Sequence, residues 1–299
     1  MHFPVLKKVI LNPGKSLNRM NVEFFKDNSY KISELITKKY STSFSLATSL
    51  LEKEKRKSIY AIYGFVRFAD EIVDSFNGYD KETLLSKLNE DLNYALQNGI
   101  STNPVLLAFV DTVSKYNIYN EHIDAFMESM KLDLSKRKYK TKKELDHYIY
   151  GSADVVGLMC LKIFCNGDDI LYQKLSVQAQ SLGSAFQKVN FLRDLKTDMN
   201  NLGRKYFPEL NNSAFTQDAK ELIEKSIEND FSIAYEGIKQ LPGKSKLSVL
   251  LAYYYYICLL KKIKKTPVQK VLSTRIRISN MYKYFIILKV YFAYKLKLI

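Results

Sequence analysis

The sequence predicts an all-α protein with a single domain. Only 6 Pro and 11 Gly interrupt its 299 residues, which leaves room for long helices. Apolar residues recur at helical spacing along most of the chain, and we find no alternation of apolar and polar residues of the kind that marks a half-buried strand. We therefore expect a helical domain over residues 29–299, preceded by a loose lead-in over residues 1–28.

In the first half of the chain, turn and cap signals separate the expected helices. An amphipathic segment over 29–39 ends at the hydroxyl-rich residues 40–45, whose Ser and Thr side chains suit the N-cap of the next helix. Asn77-Gly78 and Asn98-Gly99 are turn signals, and Asn103-Pro104 is a typical helix start. These signals predict helices over 29–39, 46–51, 58–76, 79–97, 104–116, 121–134 and 143–164.

In the second half, a long helix with four acidic or amide side chains on one stripe ends at Gly203. Pro242-Gly243 reads as a turn between two later helices. The tail is basic, aromatic and aliphatic. The expected helices cover 168–201, 214–240, 244–265, 267–282 and 284–299.

The chain is strongly basic, with a formal net charge of +15. This charge favours an acidic partner, which could be nucleic acid, an anionic membrane surface or a polyanionic small substrate, and charge alone does not choose among them. We interpret the basic run over residues 136–143 as a solvated loop. An anion-binding or membrane-facing patch is the alternative.

Several function classes lack a signal. Cys160, Cys165 and Cys258 show no CxxC spacing, which argues against a zinc site or a disulfide framework and favours a reducing cytoplasm. Two GKS tripeptides lack the glycine that a P-loop needs, and no Ser-His-Asp pattern or Gly-rich dinucleotide turn is evident. We find no cleavable signal pattern, and the longest apolar run, residues 249–260, is shorter than the roughly 20 residues of a membrane-spanning helix.

The predicted helix over 58–76 carries two acids on an otherwise apolar body. Asp70 and Asp74 are four residues apart, so their carboxylates project from one face, and Tyr63 and Arg67 extend the same stripe. A helix that is apolar nearly all round is buried. Buried carboxylates need a partner, and the candidates are Arg67, a metal ion, or both.

The helix over 168–201 repeats this pattern. Asp194 and Asp198 are four residues apart, Gln187 and Asn190 lie on the same stripe, and Arg193 lies at its flank. Two facing helices could thus bring four carboxylates and two amides to one cavity, and such oxygen ligands suit Mg²⁺. The alternative is two solvated acid pairs, each neutralised by neighbouring Lys or Arg.

Four segments, in order along nearly the whole chain, resemble the signature blocks of the phytoene synthase and squalene synthase family. They are YSTSFSLATSLL at 40–51, AIYGFVRFADEIVD at 61–74, YIYGSADVVG at 148–157 and QKVNFLRDLKTDMNNLGRKYFP at 187–208. The resemblance implies an isoprenoid-synthase helical bundle with a central apolar cavity, and head-to-head condensation of two prenyl diphosphates. Within the family the chain is most similar to bacterial phytoene synthases. This implies geranylgeranyl diphosphate as substrate and phytoene, made through prephytoene diphosphate in carotenoid biosynthesis, as product.

The resemblance also assigns roles to residues. It implies Mg²⁺ or Mn²⁺ ligands at Asp70, Asp74, Asn190, Asp194 and Asp198, and catalytic roles for the four aspartates, Arg67 and Tyr148. It implies substrate contacts for Tyr40, Ser41, Thr42, Ser43, Phe44, Tyr63, Arg67, Gln187, Arg193, Tyr256 and Arg275. No NADPH is expected, because phytoene formation needs no reduction.

As partners we expect prenyl diphosphate substrates, a peripheral membrane contact and a downstream carotenoid desaturase, but no nucleic acid. The expected location is the cytoplasm, including the inner face of the plasma membrane. The tail over 284–299 combines aliphatic and aromatic residues with lysines, which suits a helix that lies in a membrane interface. A core helix whose lysines reach solvent is the alternative.

Other functions stay open. A C30 synthase that makes squalene or dehydrosqualene from farnesyl diphosphate would differ only in a few residues at the pocket floor. A chain-elongating or cyclising prenyl enzyme is disfavoured, because such enzymes lack the SxSFS and GRxYxP blocks. A non-catalytic basic helical protein that binds membrane or nucleic acid would carry four buried aspartates without use.

Overall fold

Helices make up nearly all of the computed structural model, which describes residues 13–200, 203–210 and 215–296, and these ranges contain no β-strand. The prediction of an all-α protein is confirmed. The helices are α1 (Pro13–Tyr40), α2 (Thr42–Thr48), α3 (Lys53–Ser75), α4 (Lys81–Asn98), α5 (Pro104–Tyr116), α6 (Asn120–Ser135), α7 (Lys142–Ile149), α8 (Val155–Cys165), α9 (Asp169–Asn200), α10 (Gln217–Ile238), α11 (Gly243–Lys264), α12 (Val268–Ser273) and α13 (Asn280–Lys295).

Helix α3 lies at the centre of the N-terminal half, packed against α1, α5 and α8. Most of its side chains from Ser58 to Val73 are buried, as its apolar surface predicts. Phe65 stacks on Phe109 of α5 with ring centroids 4.0 Å apart. Gly64 allows the close approach of α1, because a Cβ at this position would lie 3.0 Å from Ser33.

Helix α9 organises the C-terminal half, where it packs along α8 and α10 and also contacts α11 and α12. Gly183 is required here, because a Cβ at this position would lie 2.7 Å from the carbonyl oxygen of Ala153. Ala153 belongs to a π-helical turn, Tyr150–Asp154, that joins α7 to α8 without a break. Such turns often mark functional sites.

The joined helix Lys142–Cys165 is long and apolar enough to cross a membrane by length and composition. This corrects the expectation that no segment reaches that length, which was based on the run over 249–260. The helix is 61% buried inside the protein over its most apolar window. It therefore resembles the core helix of a bundle, which passes the same test.

Several element boundaries differ from the prediction, and those of α1 and α2 have a visible physical reason. Helix α1 begins at Pro13, so the expectation of a loose lead-in is wrong for residues 13–28, while residues 1–12 lie outside the described part. Packing explains this, because Lys26 contacts Asp111 of α5 at 2.8 Å. Helix α2 begins at Thr42 rather than at residue 46, because the Ser41 hydroxyl accepts a hydrogen bond from the Phe44 N–H and caps it.

The predicted helix over 267–282 is interrupted. Helix α12 ends at Ser273, residues 274–279 are non-helical, and α13 begins at Asn280. Ser273 and Thr274 both donate their hydroxyls to the Lys270 carbonyl, a local bond that competes with helix continuation. The extended segment pairs with α9 instead, since the Ile276 N–H donates to the Arg193 carbonyl.

Candidate active site

The first acid pair, Asp70 and Asp74, lies half-buried on α3. Burial raises the pKa of Asp70 to about 7, and the adjacent charge of Asp74 adds to the rise. Asp74 forms an ion pair with Arg204, whose Nη1 lies 2.8 Å from Asp74 Oδ1. Asp70 forms no ion pair or hydrogen bond through its side chain with the described residues.

The second acid pair, Asp194 and Asp198, lies half-buried on α9. Arg193 donates two hydrogen bonds to Asp194 Oδ2, at 3.1 and 2.5 Å. Arg275 Nε lies 2.7 Å from the other oxygen, Asp194 Oδ1. That oxygen is buried and accepts no aligned hydrogen bond from the described residues. Asp198 resembles Asp70, because burial raises its pKa to about 7.

The structure brings the two acid pairs to one site. The charges of Asp194 and, across the site, Asp74 both contribute to the raised pKa of Asp198. Arg204 connects the two sides, because its N–H donates to the Asp198 carbonyl at 2.8 Å and its side chain reaches Asp74. The solvated-pair alternative is therefore disfavoured, since the acids share a partly buried region instead of facing solvent separately.

Arg67 is not the partner of either aspartate on α3. Its guanidinium forms an ion pair with Glu71, one turn further along the helix, and lies 4.4 Å from the centroid of the Tyr40 ring. The Arg67 Nε is buried and has no hydrogen-bond partner among the described residues. This free donor is available to an anionic ligand.

The hydroxyl-rich segment at the start of α2 lies next to α3 and α13. Phe44 stacks on Tyr63 with ring centroids 4.8 Å apart, and burial raises the pKa of Tyr63 to about 12. Thr42 Oγ1 accepts a hydrogen bond from Lys283 Nζ at 3.2 Å. A small cleft, with a volume of about 10 Å³, lies beside this contact. Its lining residues are Ser43, Leu46, Leu251, Tyr255, Lys283, Ile286 and Ile287.

On α9, the predicted stripe is continuous with the second acid pair. Tyr256 of α11 donates a hydrogen bond to Asn190 Oδ1 at 3.1 Å and stacks on Phe186 with ring centroids 4.0 Å apart. Gln187 is half-buried one turn before Asn190. Tyr256 thus connects α11 to this stripe of α9.

A family model for squalene/phytoene synthases matches residues 37–282. The chain belongs to this family. It is 29% identical over 267 residues to a phytoene synthase of Arthrospira platensis, covering 80% of this chain and 85% of that protein. It is 24% identical over 261 residues to a 4,4'-diapophytoene synthase of Staphylococcus haemolyticus, covering 80% of this chain and 88% of that protein.

Solved structures of the squalene/phytoene synthase family share this fold. A dehydrosqualene synthase superimposes with a TM-score of 0.76 and 24% identity, covering 90% of this chain and 98% of that one. A squalene synthase of Alicyclobacillus acidocaldarius gives a TM-score of 0.70 and 22% identity, covering 80% and 94%. The predicted family and isoprenoid-synthase bundle are confirmed, and the central apolar cavity stays a prediction.

Two buried residues of the site were missed by sequence reasoning. Arg204 Nη2 donates to the Asp133 carbonyl at 2.9 Å, and Asp133 accepts a hydrogen bond from the Tyr148 hydroxyl at 2.9 Å. Burial raises the pKa of Asp133 to about 7, while Arg204 opposes the rise. Arg204 lies in the family block at 187–208 directly after the second acid pair, which was a usable signal. Asp133 is one of four acids on the amphipathic helix α6 and gives no such signal.

Tyr148 does not line the open part of the site. It is 2% exposed and packs in an aromatic cluster with Tyr139, Phe191 and Tyr206. Through Asp133 and Arg204 it connects to Asp74. Tyr148 therefore positions other residues of the site. None of its contacts in the described structure supports the predicted catalytic role.

The donor chemistry of the acid pairs fits a hard divalent cation. All five predicted ligands offer oxygen atoms, Asp70 and Asp198 form no ion pair with the described residues although arginines lie near both, and Asp194 Oδ1 is buried without an aligned donor. Among the described residues no three acidic, His or Cys side chains lie close enough together to form a complete metal cluster. A metal here would thus need further oxygen ligands, such as those of a diphosphate.

Proposed function

We propose that this chain condenses two molecules of geranylgeranyl diphosphate head to head into phytoene, through prephytoene diphosphate, in carotenoid biosynthesis. Membership of the squalene/phytoene synthase family supports prenyl diphosphates as the substrate class. The observation that carries the proposal is the meeting of two acid pairs with Arg193, Arg204 and Arg275 at one partly buried site.

The acid pairs would hold Mg²⁺, or Mn²⁺, through Asp70, Asp74, Asn190, Asp194 and Asp198. The ion would supply positive charge that stabilises the departing diphosphate. Without that charge, burial and a neighbouring carboxylate on the same helix raise the pKa of Asp70 and of Asp198 to about 7, and a bound cation would favour the ionised form of both.

The chain's own cations then orient the diphosphates. Arg193 and Arg275 flank Asp194, and Arg67 keeps one buried N–H free. Guanidinium groups bind phosphate oxygens at two points and so fix the direction of the leaving group. Lys283, held against Thr42, is a further cation beside the hydroxyl-rich segment.

Aromatic rings would protect the reacting carbons. Phe44 with Tyr63, and Phe186 with Tyr256, form two stacked pairs. Ring faces exclude water and stabilise a carbocation by about 0.5–2 kcal/mol each. Quenching of an allylic cation by water would give an alcohol instead of a hydrocarbon.

The runner-up function is a C30 synthase that acts on farnesyl diphosphate. The diapophytoene synthase relative and the dehydrosqualene synthase structure favour keeping it. We prefer the C40 product because a maize phytoene synthase is 32% identical over 235 residues, covering 73% of this chain and 58% of that protein, a higher identity than that of the diapophytoene synthase.

Incubation of the purified protein with each diphosphate and Mg²⁺, without NADPH, tests this proposal. Extracted hydrocarbons are separated by chromatography and identified by mass. A C40 triene core from geranylgeranyl diphosphate supports the proposal, and a C30 product only from farnesyl diphosphate selects the alternative. An alcohol, a linear longer-chain diphosphate, or no turnover even when NADPH is added, refutes head-to-head condensation. Asp70→Asn should be inactive, and Asp91→Asn, at an exposed position of α4, is the matched control.

We also propose a cytoplasmic enzyme whose product passes to a carotenoid desaturase at the inner face of the plasma membrane. A C40 hydrocarbon is nearly insoluble in water, so transfer through a lipid phase is favoured over release into solution. No step of this reaction needs nucleic acid or NADPH.

A further inference from the structure

The two faces of helix α13 differ sharply. Its inner face packs on α11 through Ile286 and Val290, both buried, and Tyr294 donates a hydrogen bond to the Gly243 carbonyl. The outer face carries large apolar side chains that are 41–83% exposed. These are Met281, Tyr282, Tyr284, Phe285, Leu288, Tyr291, Phe292 and, just after the helix, Leu296.

The charge around this face is of one sign. Residues 237–299 contain 12 Lys and 2 Arg but no Asp or Glu, so this final fifth of the chain accounts for nearly the whole net charge of +15. Lys289 and Lys295 are exposed on α13 itself. An apolar and aromatic face flanked by lysines is the composition of a helix that lies in a membrane interface rich in anionic lipid.

Another helix with exposed apolar residues serves as a comparison. Helix α1 exposes Phe24 and Leu35, but its surface also carries acids in ion pairs, Lys26 with Glu23 and Lys38 with Glu34. These acids would repel an anionic lipid surface. Helix α13, in contrast, carries no acidic residue.

The inner face of α13 forms one wall of the cleft beside the substrate-binding segment. Lys283, Ile286 and Ile287 line that cleft opposite Ser43 and Tyr255. The surface that would meet a membrane and the wall of the cleft are thus opposite faces of one helix, about 10 Å across.

We propose that the outer face of α13 docks the enzyme on a bilayer that contains anionic lipid, and that the cleft beside Thr42 and Ser43 opens at the edge of this contact. The partner is the lipid surface itself. The statement about the cleft rests on the proposed function. Prenyl chains would then enter and leave the site along the apolar wall of α13 without crossing water.

Vesicle sedimentation tests the docking without any activity measurement. The full-length protein is mixed with vesicles of phosphatidylcholine alone or with added phosphatidylserine, at about 0.05 M and about 0.5 M NaCl. We expect binding to the mixed vesicles at low salt, weaker binding at high salt and little binding to phosphatidylcholine alone.

The key variant is Phe285→Ser/Leu288→Ser/Phe292→Ser, which changes only exposed side chains. The matched control is Phe24→Ser/Ile170→Ser/Leu222→Ser, which removes equally exposed apolar groups from α1, α9 and α10. Partial burial of three large side chains predicts at least about a 30-fold loss of vesicle partitioning for the α13 variant. The control should stay within about twofold, and both should melt like the wild type.

Equal binding of the two triple variants, or no vesicle binding by the wild type, would overturn the proposal. A wild-type dimer that the α13 variant converts to a monomer would also overturn it, because a second copy would then cover this face. Activity is measured separately on substrate in detergent and on substrate in vesicles. If the α13 variant loses activity on substrate in vesicles but keeps activity on substrate in detergent, the proposal is supported. If the wild type binds vesicles but shows no turnover in detergent, the proposed function is rejected and the docking proposal is not.

Discussion

Replacing Arg204 with methionine tests whether one buried guanidinium holds the two halves of the site together. Arg204 is 3% exposed and contacts Asp74 Oδ1 at 2.8 Å, the Asp133 carbonyl at 2.9 Å and the Tyr206 hydroxyl at 3.4 Å. Methionine has a similar length and fills the space without charge. Asp74 can recover hydration, because its side chain is 37% exposed.

Asp133 cannot recover in this way, since its side chain is 5% exposed. Removing one partner from a buried charged pair costs about 3–5 kcal/mol of folding free energy. In a chain of this size that corresponds to a fall in Tm of roughly 6–15 °C. The pKa of Asp133, already about 7, rises further when Arg204 is removed, so the variant can protonate this group and its deficit should be smaller near pH 6 than near pH 8.

Thermal melting followed by circular dichroism gives the measurement, with product formation as a second readout. We expect at least about a tenfold loss of turnover, because Asp74 loses the residue that positions it. Arg137→Met is the control, since Arg137 is exposed and also donates to the Asp133 carbonyl, at 2.9 Å. Adding Asp133→Asn should restore part of the lost stability. A Tm within about 2 °C of the wild type, or no rescue by Asp133→Asn, would refute this reasoning.

Three further substitutions test separate parts of the site. Asp70→Asn should abolish turnover and leave the metal-free Tm unchanged or higher, because it removes repulsion between carboxylates; activity within about tenfold of the wild type would contradict a metal role. Arg67→Lys should lower kcat/KM at least about tenfold through loss of the planar fork, and near-normal kinetics would mean that Arg67 only holds Glu71. Asp154, buried and bonded to Ser184 at 2.8 Å, has a pKa raised to about 7 by burial. The folded state therefore binds more protons than the unfolded state between about pH 4 and pH 7, so wild-type stability should fall as pH rises through this window. Melting curves of Asp154→Asn should show a smaller fall in Tm over the same pH range. An equal dependence of Tm on pH in the two proteins would reject the raised pKa of Asp154.

The parts of the site that lie within one helix could be predicted from the sequence. Spacing by four residues places Asp70 with Asp74, and Asp194 with Asp198, because helix geometry alone decides which side chains share a face. The order of the helices follows in the same way from apolar periodicity and caps. Local rules also predicted that most of α3 would be buried.

Contacts between distant segments were not predictable by such rules. Arg275 reaches Asp194 only because α12 ends at Ser273 and the extended segment after it pairs with α9. Arg67 has two acids within four residues along its own helix, Asp70 and Glu71, and the sequence does not indicate that Glu71 is the partner. Asp133 is identified as a site residue only by the side chains that surround it in the fold.

The basic run over 136–143 shows how backbone pairing, rather than charge, positions the site. We interpreted it as a solvated loop, yet it pairs with the segment after α9, where the Lys205 N–H donates to the Arg137 carbonyl at 2.8 Å and the Tyr139 N–H donates to the Lys205 carbonyl at 3.2 Å. Lys205 directly follows Arg204, so this short parallel pairing fixes the backbone from which Arg204 reaches Asp74. An arginine on a free loop would lose the entropy of ordering several residues when it bound the acid. The pairing and the hydrogen bond from the Arg204 backbone N–H to α9 order the segment in advance. The guanidinium can therefore hold Asp74 with little further loss of conformational entropy.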